Sequence, residues 1–174
     1  MKTIKLAFLI VLSWLVMAAC SSDLEVLAFG TSISDLDSEF KLTKAERFSY
    51  KYKVGEYYSY KDSIVIWVEW KCDPNAKFGF CDVGGANFRL VDLNDNYTNK
   101  APVLSYELPP SVSLPKDAIS CCGRAKAGDK IIVYIPWNVN HSCSHDWTIK
   151  YQRLLSASGP IYYLELPDSV QCSE

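Results

Sequence analysis

Residues 64–72 form the clearest strand pattern in the chain. Every second residue from Ile64 to Cys72 is apolar or a cysteine, and Glu69 and Lys71 lie between them near the end. Successive side chains of a strand point to opposite faces of a sheet, so this pattern buries one face. The β-branched and aromatic residues are typical of a central strand. We therefore expect a central strand with Cys72 on its core side.

The remainder of the chain repeats this kind of segment at short intervals, with Gly, Pro, Asn and Asp in between. About eight segments of this kind occur, at residues 24–29, 48–53, 64–72, 86–93, 103–108, 130–135, 147–152 and 161–166. This pattern predicts an all-β chain folded as an antiparallel, immunoglobulin-like β-sandwich. A small β-barrel is the alternative.

Two details of this prediction are specific enough to test. Residues 32–47 are polar and acidic, then mixed, and indicate a loop; the capping-box spacing of Thr43 and Glu46 allows one short helical turn within it. Pro136 is expected to end the strand that begins at residue 130, because proline cannot donate a hydrogen bond to a sheet.

Residues 62–70 and 129–137 also match in residue type at seven of nine positions. We interpret the match as two strands under similar burial, not as a duplicated half-domain.

The N-terminus has the features of an export signal. Two lysines lie within Met1–Lys5, and an apolar segment, Leu6–Met17, follows with Ser13 as its one polar residue. Small residues come next, and this order is typical of a secretory signal peptide. The apolar segment is shorter than the about 20 residues that a membrane-spanning helix needs.

The sequence Met17-Ala18-Ala19-Cys20 resembles the lipobox of bacterial lipoproteins. The resemblance implies that diacylglycerol is attached to Cys20, that cleavage occurs before it, and that the new amino terminus is acylated. Several acyl chains would hold the chain stably on a membrane. We then expect a signal peptide at residues 1–19, a lipidated tether at 20–24 and one β-sandwich domain at 25–174. An ordinary signal peptide, with Cys20 as one more cysteine of the mature chain, is the alternative.

The number of cysteines favours lipidation. The chain has seven, so assigning Cys20 to lipid leaves an even number to pair in an oxidising compartment. We expect disulfides at these six: Cys72, Cys81, Cys121, Cys122, Cys143 and Cys172. A bridge between Cys72 and Cys81 would close a short loop after the central strand and stabilise the fold by about 2–3 kcal/mol.

The adjacent pair Cys121-Cys122 is expected to form two long-range bridges. Adjacent cysteines rarely bond to each other, because the small ring strains the peptide between them. We expect one of them to pair with Cys143 and the other with Cys172. Six cysteines allow 15 pairings, so this connectivity is one hypothesis among several.

Both histidines of the chain, His141 and His145, lie in one short segment together with Cys143 and Asp146. Such side chains are ligands for zinc and copper, which makes a metal-binding or redox-related envelope protein one alternative function. Oxidation in an exported protein would remove Cys143 as a ligand, and on an extended strand the two histidines lie about 13 Å apart. We therefore expect a disulfide beside two solvated histidines, and no metal or other cofactor.

Tyrosines and lysines concentrate at residues 50–61, and Tyr57, Tyr58 and Tyr60 are our candidate binding residues for a protein or glycan partner. The alternative is that about half of these rings pack inside the sandwich and the others cover its edge. Without the signal peptide the chain has 16 basic and 20 acidic residues and no basic stripe, so we expect no nucleic-acid partner.

We find no Gly-x-Ser-x-Gly, phosphate-binding loop or His-Glu-x-x-His motif, and we expect no catalytic activity. The sequence thus favours a lipid-anchored protein of the bacterial cell envelope with a non-catalytic binding or scaffolding role. We expect it at the outer membrane, on the periplasmic or the surface face. A secreted inhibitor or adhesin-like module is a further alternative.

Overall fold

The computed structural model describes residues 24–95, 98–103, 118–120, 122–139, 146–153 and 159–171. These residues form strands and one 3-10 turn at Gly85–Asn87, with no α-helix among them. The strands are β1 (Val26–Leu27), β2 (Ile33–Asp35), β3 (Ser38–Val54), β4 (Tyr57–Cys72), β5 (Phe80–Gly84), β6 (Phe88–Asp92), β7 (Asn99–Lys100), β8 (Ala118–Ser120), β9 (Cys122–Lys126), β10 (Lys130–Val139), β11 (Trp147–Gln152) and β12 (Ile161–Glu165).

The strands form two five-stranded sheets and a small third one. The first sheet has the order β1-β12-β11-β6-β7, the second β2-β3-β4-β10-β8, and β5 pairs with β9. Apolar residues of both large sheets share one buried core. The predicted β-sandwich is therefore confirmed, and the barrel alternative is wrong. The immunoglobulin-like label stays a prediction.

Strand β4 lies at the centre of the second sheet, between β3 and β10. The face that carries Ile64, Ile66, Val68, Trp70 and Cys72 is buried in the shared core, as the alternation predicted. The opposite face is covered as well, because Val65 and Trp67 are 0% and 3% exposed. Burial on both faces explains why only Glu69 and Lys71 interrupt the apolar sequence of residues 64–72.

Residues 32–47 are strands, so the predicted loop and helical turn are wrong. They contain β2, a two-residue turn at Leu36 and Asp37, and the first part of β3. The register with β4 shifts between Leu42 and Lys44, which makes Thr43 the extra residue of a β-bulge. The bulge interrupts the period-two pattern, so the alternation on its two sides is out of phase. The Thr43 hydroxyl donates to the Trp67 carbonyl oxygen at 3.2 Å.

Strand β10 continues past Pro136, where the sequence predicted its end. It pairs with β4 along its whole length, as far as Val139 opposite Asp62. On its other side β8 pairs only with Ile132–Tyr134, so Pro136 lies beyond the end of that ladder. No described strand pairs with β10 at Pro136 on that side, so the missing N–H breaks no ladder bond there. The Pro136 carbonyl oxygen accepts a hydrogen bond from the Val103 amide at 2.9 Å.

The two similar segments found in the sequence are neighbours in the second sheet. Residues 62–70 belong to β4 and residues 129–137 lie almost wholly in β10, and the two strands pair antiparallel. Val133, Ile135 and Trp137 are buried, like the residues they approach in β4. Their similarity therefore agrees with shared burial at the centre of one sheet.

Most strand pairs are antiparallel, but two at the sheet edges are parallel. Strand β1 pairs parallel to β12, and β8 pairs parallel to β10. Parallel neighbours cannot be joined by a tight hairpin: β1 and β12 lie far apart in the chain, and β8 and β10 are joined by residues 121–129, which include β9. Within the described ranges there is no helix with the length and apolar character needed to cross a membrane.

The two sheets meet through a cluster of aromatic rings. Phe40 of β3 lies 5.0 Å from Trp70, 4.5 Å from Tyr151 and 5.4 Å from Phe88, measured between ring centroids. Two of these rings, Phe88 and Tyr151, belong to the first sheet. Each ring is at most 2% exposed. Burial of rings of this size is a large part of the stability of a domain.

We expect Phe40→Ala to lower the free energy of unfolding by about 3–5 kcal/mol, because it leaves a cavity among three rings. The matched control is Phe78→Ala, since Phe78 is 71% exposed and its loss should change stability by less than about 0.5 kcal/mol. Urea unfolding followed by tryptophan fluorescence measures both. Equal effects of the two substitutions would contradict the assignment of Phe40 to the core.

Candidate ligand-binding cleft

A cleft of about 600 Å³ opens at the end of the sandwich where β2 turns into β3. The second sheet contributes the turn at Leu36 and Asp37, the first sheet contributes Tyr151 and Arg153, and the loop before β5 closes the third side. This volume lies within the range of about 300–1,000 Å³ that is usual for small-molecule sites.

The floor of the cleft is a polar contact between the two sheets. The Tyr151 hydroxyl of β11 donates a hydrogen bond to Oδ2 of Asp35, the last residue of β2. Arg153, just after β11, places Nη1 3.7 Å from the other carboxylate oxygen of Asp35. The Asp35 side chain is 14% exposed. A carboxylate at this depth is stabilised by the donor and the cation beside it.

Tyr151 is held in its protonated form. Burial raises the pKa of the Tyr151 phenol above its usual 10.0, and the hydrogen bond and negative charge of Asp35 raise it further. Arg153 and a side-chain hydrogen bond with Asn87 act in the opposite direction with smaller effect. The hydroxyl is thus a permanent donor at neutral pH, and we see no role for it as a base.

Two exposed apolar side chains form the rim. Leu36 is 79% exposed and Phe78 is 71% exposed, and both line the cleft. Leu36 also has a φ of +48°, in the left-handed region that costs a residue other than glycine about 1–2 kcal/mol. Strained residues of this kind cluster at functional sites, which favours a binding role for this turn.

Covalent and hydrogen bonds hold the rim loop in place. The predicted disulfide between Cys72 and Cys81 is confirmed, and it closes the loop that carries Phe78. The Asp73 amide donates to the Asp37 carbonyl oxygen at 2.7 Å, which ties the loop to the β2–β3 turn. A rim fixed at both sides loses little entropy when a ligand binds.

Charges of both signs surround the aromatic rim. The Arg124 guanidinium lies 4.3 Å from the centroid of Phe80 and donates to the Asp82 carboxylate at 3.0 Å. The Lys77 ammonium lies 5.6 Å from the centroid of Phe78. Apolar walls with a few placed polar groups can bind and orient a small ligand.

The structure tests few of the site residues that the sequence predicted. Cys122 begins β9, where it is exposed and opposite Gly84 of β5. Six predicted site residues lie outside the described residues, namely Cys20, Cys121, His141, Cys143, His145 and Cys172. Lipidation, the remaining disulfides and the metal alternative therefore stay predictions. Within the described ranges, no three His, Cys, Asp or Glu side chains gather closely enough to hold a metal ion.

The three candidate tyrosines lie on an extension of the β3–β4 hairpin, away from the cleft residues. Tyr57 is 81% exposed beside the turn at Gly55. Tyr58 and Tyr60 follow in β4, opposite Lys53 and Lys51 of β3. A binding role for these three tyrosines stays a prediction.

Sequence reasoning missed the cleft residues. Asp35 falls in the segment that the sequence predicts as a loop, and Tyr151 falls in the strand segment 147–152 with nothing that marks it as a site residue. The two are 116 positions apart, and nothing in the local pattern of either signals the other. The usable signal was the predicted Cys72–Cys81 loop, which marks one side of the cleft.

Comparison with known proteins gives a fold and no function. No protein-family model matches the chain, and no curated protein matches it. The yjhA protein of Bacillus subtilis has a similar structure, with a TM-score of 0.55 and 16% identity over 82% of this chain and 100% of that one. The secreted protein MPT63 of Mycobacterium tuberculosis has a TM-score of 0.50 and 11% identity, over 84% of this chain and 100% of its own.

We expect Tyr151→Phe to reduce stability at neutral pH by about 1.5–3 kcal/mol, because the Asp35 carboxylate loses its donor.

The wild-type free energy of unfolding should also fall above about pH 10, by about 1.4 kcal/mol per pH unit, since the unfolded tyrosine ionises there while the folded one does not. This stabilisation is complete below pH 10. In Tyr151→Phe the free energy of unfolding should decline less steeply with pH above about pH 10. Urea unfolding at several pH values measures this slope for both proteins. Parallel curves for the two proteins would contradict the assignment.

Proposed function

We propose that this protein is a lipid-anchored component of the bacterial cell envelope that binds a small ligand, without catalysis, in the cleft at the disulfide end of the sandwich. The observation that carries the proposal is the cleft itself. Its floor joins the two sheets through Asp35 and Tyr151, and its rim exposes Leu36 and Phe78.

Three observations support the envelope location. The N-terminal sequence has the order of a secretory signal and ends in a segment that resembles a lipobox at Cys20. The disulfide between Cys72 and Cys81 is usual in oxidising compartments and rare in the cytosol. One protein that shares the fold is secreted, which is compatible with an extracytoplasmic location.

The chemistry of the cleft favours binding over catalysis. The Tyr151 phenol is held protonated by burial and by Asp35, since both raise its pKa. The Asp35 carboxylate in turn is occupied by Tyr151 and Arg153. Groups engaged with each other in this way position a ligand through hydrogen bonds and do not supply a free acid or base.

The cleft can be tested by titrating the ¹⁵N-labelled protein with a library of small fragments that includes amino acids, dipeptides and monosaccharides. We expect amide shifts that map to Leu36, Phe78 and Arg153. Phe78→Ser should weaken the binding of any such fragment at least tenfold, because the ligand loses its contact with the exposed aromatic ring of the rim. Tyr57→Ser is the matched control, since it removes an equally exposed ring from another turn. Fragments that shift other regions only, or that ignore Phe78→Ser, would refute the proposal.

The lipid anchor can be tested separately. We expect the mature chain, expressed in a bacterium that processes lipoproteins, to begin at Cys20 and to carry diacylglycerol and an acylated amino terminus by mass spectrometry. With membranes washed at high salt, which screens ionic contacts with lipid, Cys20→Ser should move the protein from the membrane fraction to the soluble fraction, because no acyl chain is then attached. An unmodified Cys20 in the mature wild-type protein would refute lipid anchoring and leave the cleft proposal intact.

A further inference from the structure

The β3–β4 hairpin extends beyond the described strands that pair with it on either side. On one side β2 pairs with β3 only as far as Phe40, and on the other β10 pairs with β4 only as far as Asp62. Residues 50–61 continue as five further cross-strand pairs, and no third strand of the described chain joins them. At the usual rise per residue this ribbon is about 17 Å long. We call residues 50–61 the distal ribbon.

A buried ion pair lies just below the distal ribbon. Arg47 Nη2 is 3.0 Å from Asp62 Oδ2, and the two side chains are 11% and 3% exposed. Arg47 is paired with Ile64 and Asp62 with Ser49 in the strand register, so both lie on the core-side face of the sheet. The base of the ribbon is therefore fixed to the sandwich.

The composition of the distal ribbon differs from that of the remaining chain. Its twelve residues include five of the 11 tyrosines, three lysines and a single acidic residue, Glu56. Its net charge is +2, whereas the whole chain, including the signal peptide, has a net charge of −2. The ribbon is thus a cationic projection from an acidic protein, and such segregation of charge favours an anionic partner.

The register pairs each lysine of the ribbon with a tyrosine. Tyr50 is opposite Lys61, and the next pairs along are Lys51 with Tyr60 and Lys53 with Tyr58. Lysines on open strand edges also prevent aggregation, but that role does not require tyrosine. Tyrosine combines an apolar ring with a polar hydroxyl and is enriched where membranes meet water. Lysines near an anionic bilayer each add about 1 kcal/mol of attraction.

We propose that the distal ribbon docks on the surface of an anionic phospholipid bilayer. Its lysines are attracted to the lipid phosphates, and its tyrosines occupy the layer of the headgroups. Tyr57, at the end of the ribbon and 81% exposed, reaches this layer first. The contact is independent of the cleft and requires no acyl chain on Cys20.

The test uses a chain that begins at Ser21, which cannot carry the lipid anchor. Every described strand lies between Val26 and Glu165, so this chain keeps the whole fold. It is sedimented with vesicles of phosphatidylcholine, alone or mixed with phosphatidylglycerol, at low and high salt. We expect binding to the mixed vesicles only, and loss of that binding at high salt because screening weakens it.

Two variants with the same loss of charge distinguish vesicle binding through the ribbon from vesicle binding through the overall charge of the protein. Replacing Lys51, Lys53 and Lys61 by Gln should lower the partition onto anionic vesicles by about 100-fold. Replacing Lys100, Lys126 and Lys150 by Gln removes the same charge elsewhere and should have little effect. Circular dichroism and thermal unfolding establish that both variants fold.

Three outcomes would overturn the proposal. The first is no sedimentation with anionic vesicles at low salt, as expected of a ribbon that serves a protein or glycan partner instead. The second is an equal loss for both triple variants, which would indicate a response to overall charge. The third is unchanged binding of Tyr57→Ser, since the exposed ring at the end of the ribbon should contribute.

Discussion

Contact between aromatic rings across the sandwich is the interaction on which the architecture depends. Phe40 touches Trp70 in its own sheet and Phe88 and Tyr151 in the other. These rings fix the separation and register of the two sheets near one end. The cleft can exist there because Tyr151 serves two purposes. Its ring belongs to the core, and its hydroxyl reaches Asp35 at the surface of that core. A tyrosine with an apolar body and a polar tip suits the boundary between core and cleft.

Charged groups elsewhere in the second sheet show how polar residues are accommodated on a covered face. Glu69, 9% exposed, accepts from the Lys130 ammonium at 2.6 Å, and Lys41 lies 3.7 Å from its other carboxylate oxygen. The hydrogen bond with Lys130 lowers the pKa of the Glu69 carboxyl, and the positive charges nearby act in the same direction. The carboxylate therefore stays ionised on the face of the sheet that carries Trp67, where the Lys44 ammonium also lies 4.8 Å from the centroid of the Trp67 ring.

The sequence predicted the architecture where a local pattern reflects burial on one face. Residues 64–72 are such a case, because alternation in a single strand is enough to identify the core side. The prediction failed where the pairing with a neighbouring strand determines whether a segment is a strand and where that strand ends. The bulge at Thr43 reverses the phase of the pattern, and Pro136 is tolerated because β8 ends before it. The cleft was not predictable for the same reason, since Asp35 and Tyr151 meet only through the packing of two sheets.

The loop between Cys72 and Cys81 has a consequence for how such a protein can evolve. Its ends are fixed by the disulfide, and its first residue, Asp73, is hydrogen-bonded to the β2–β3 turn. Residues 74–78 between these fixed points contribute little to the core apart from Ala76. Substitutions there, at Phe78 above all, can therefore change the rim of the cleft without disturbing the sandwich. One scaffold could in this way serve a set of diverged descendants, each selecting a different ligand through the same short variable loop.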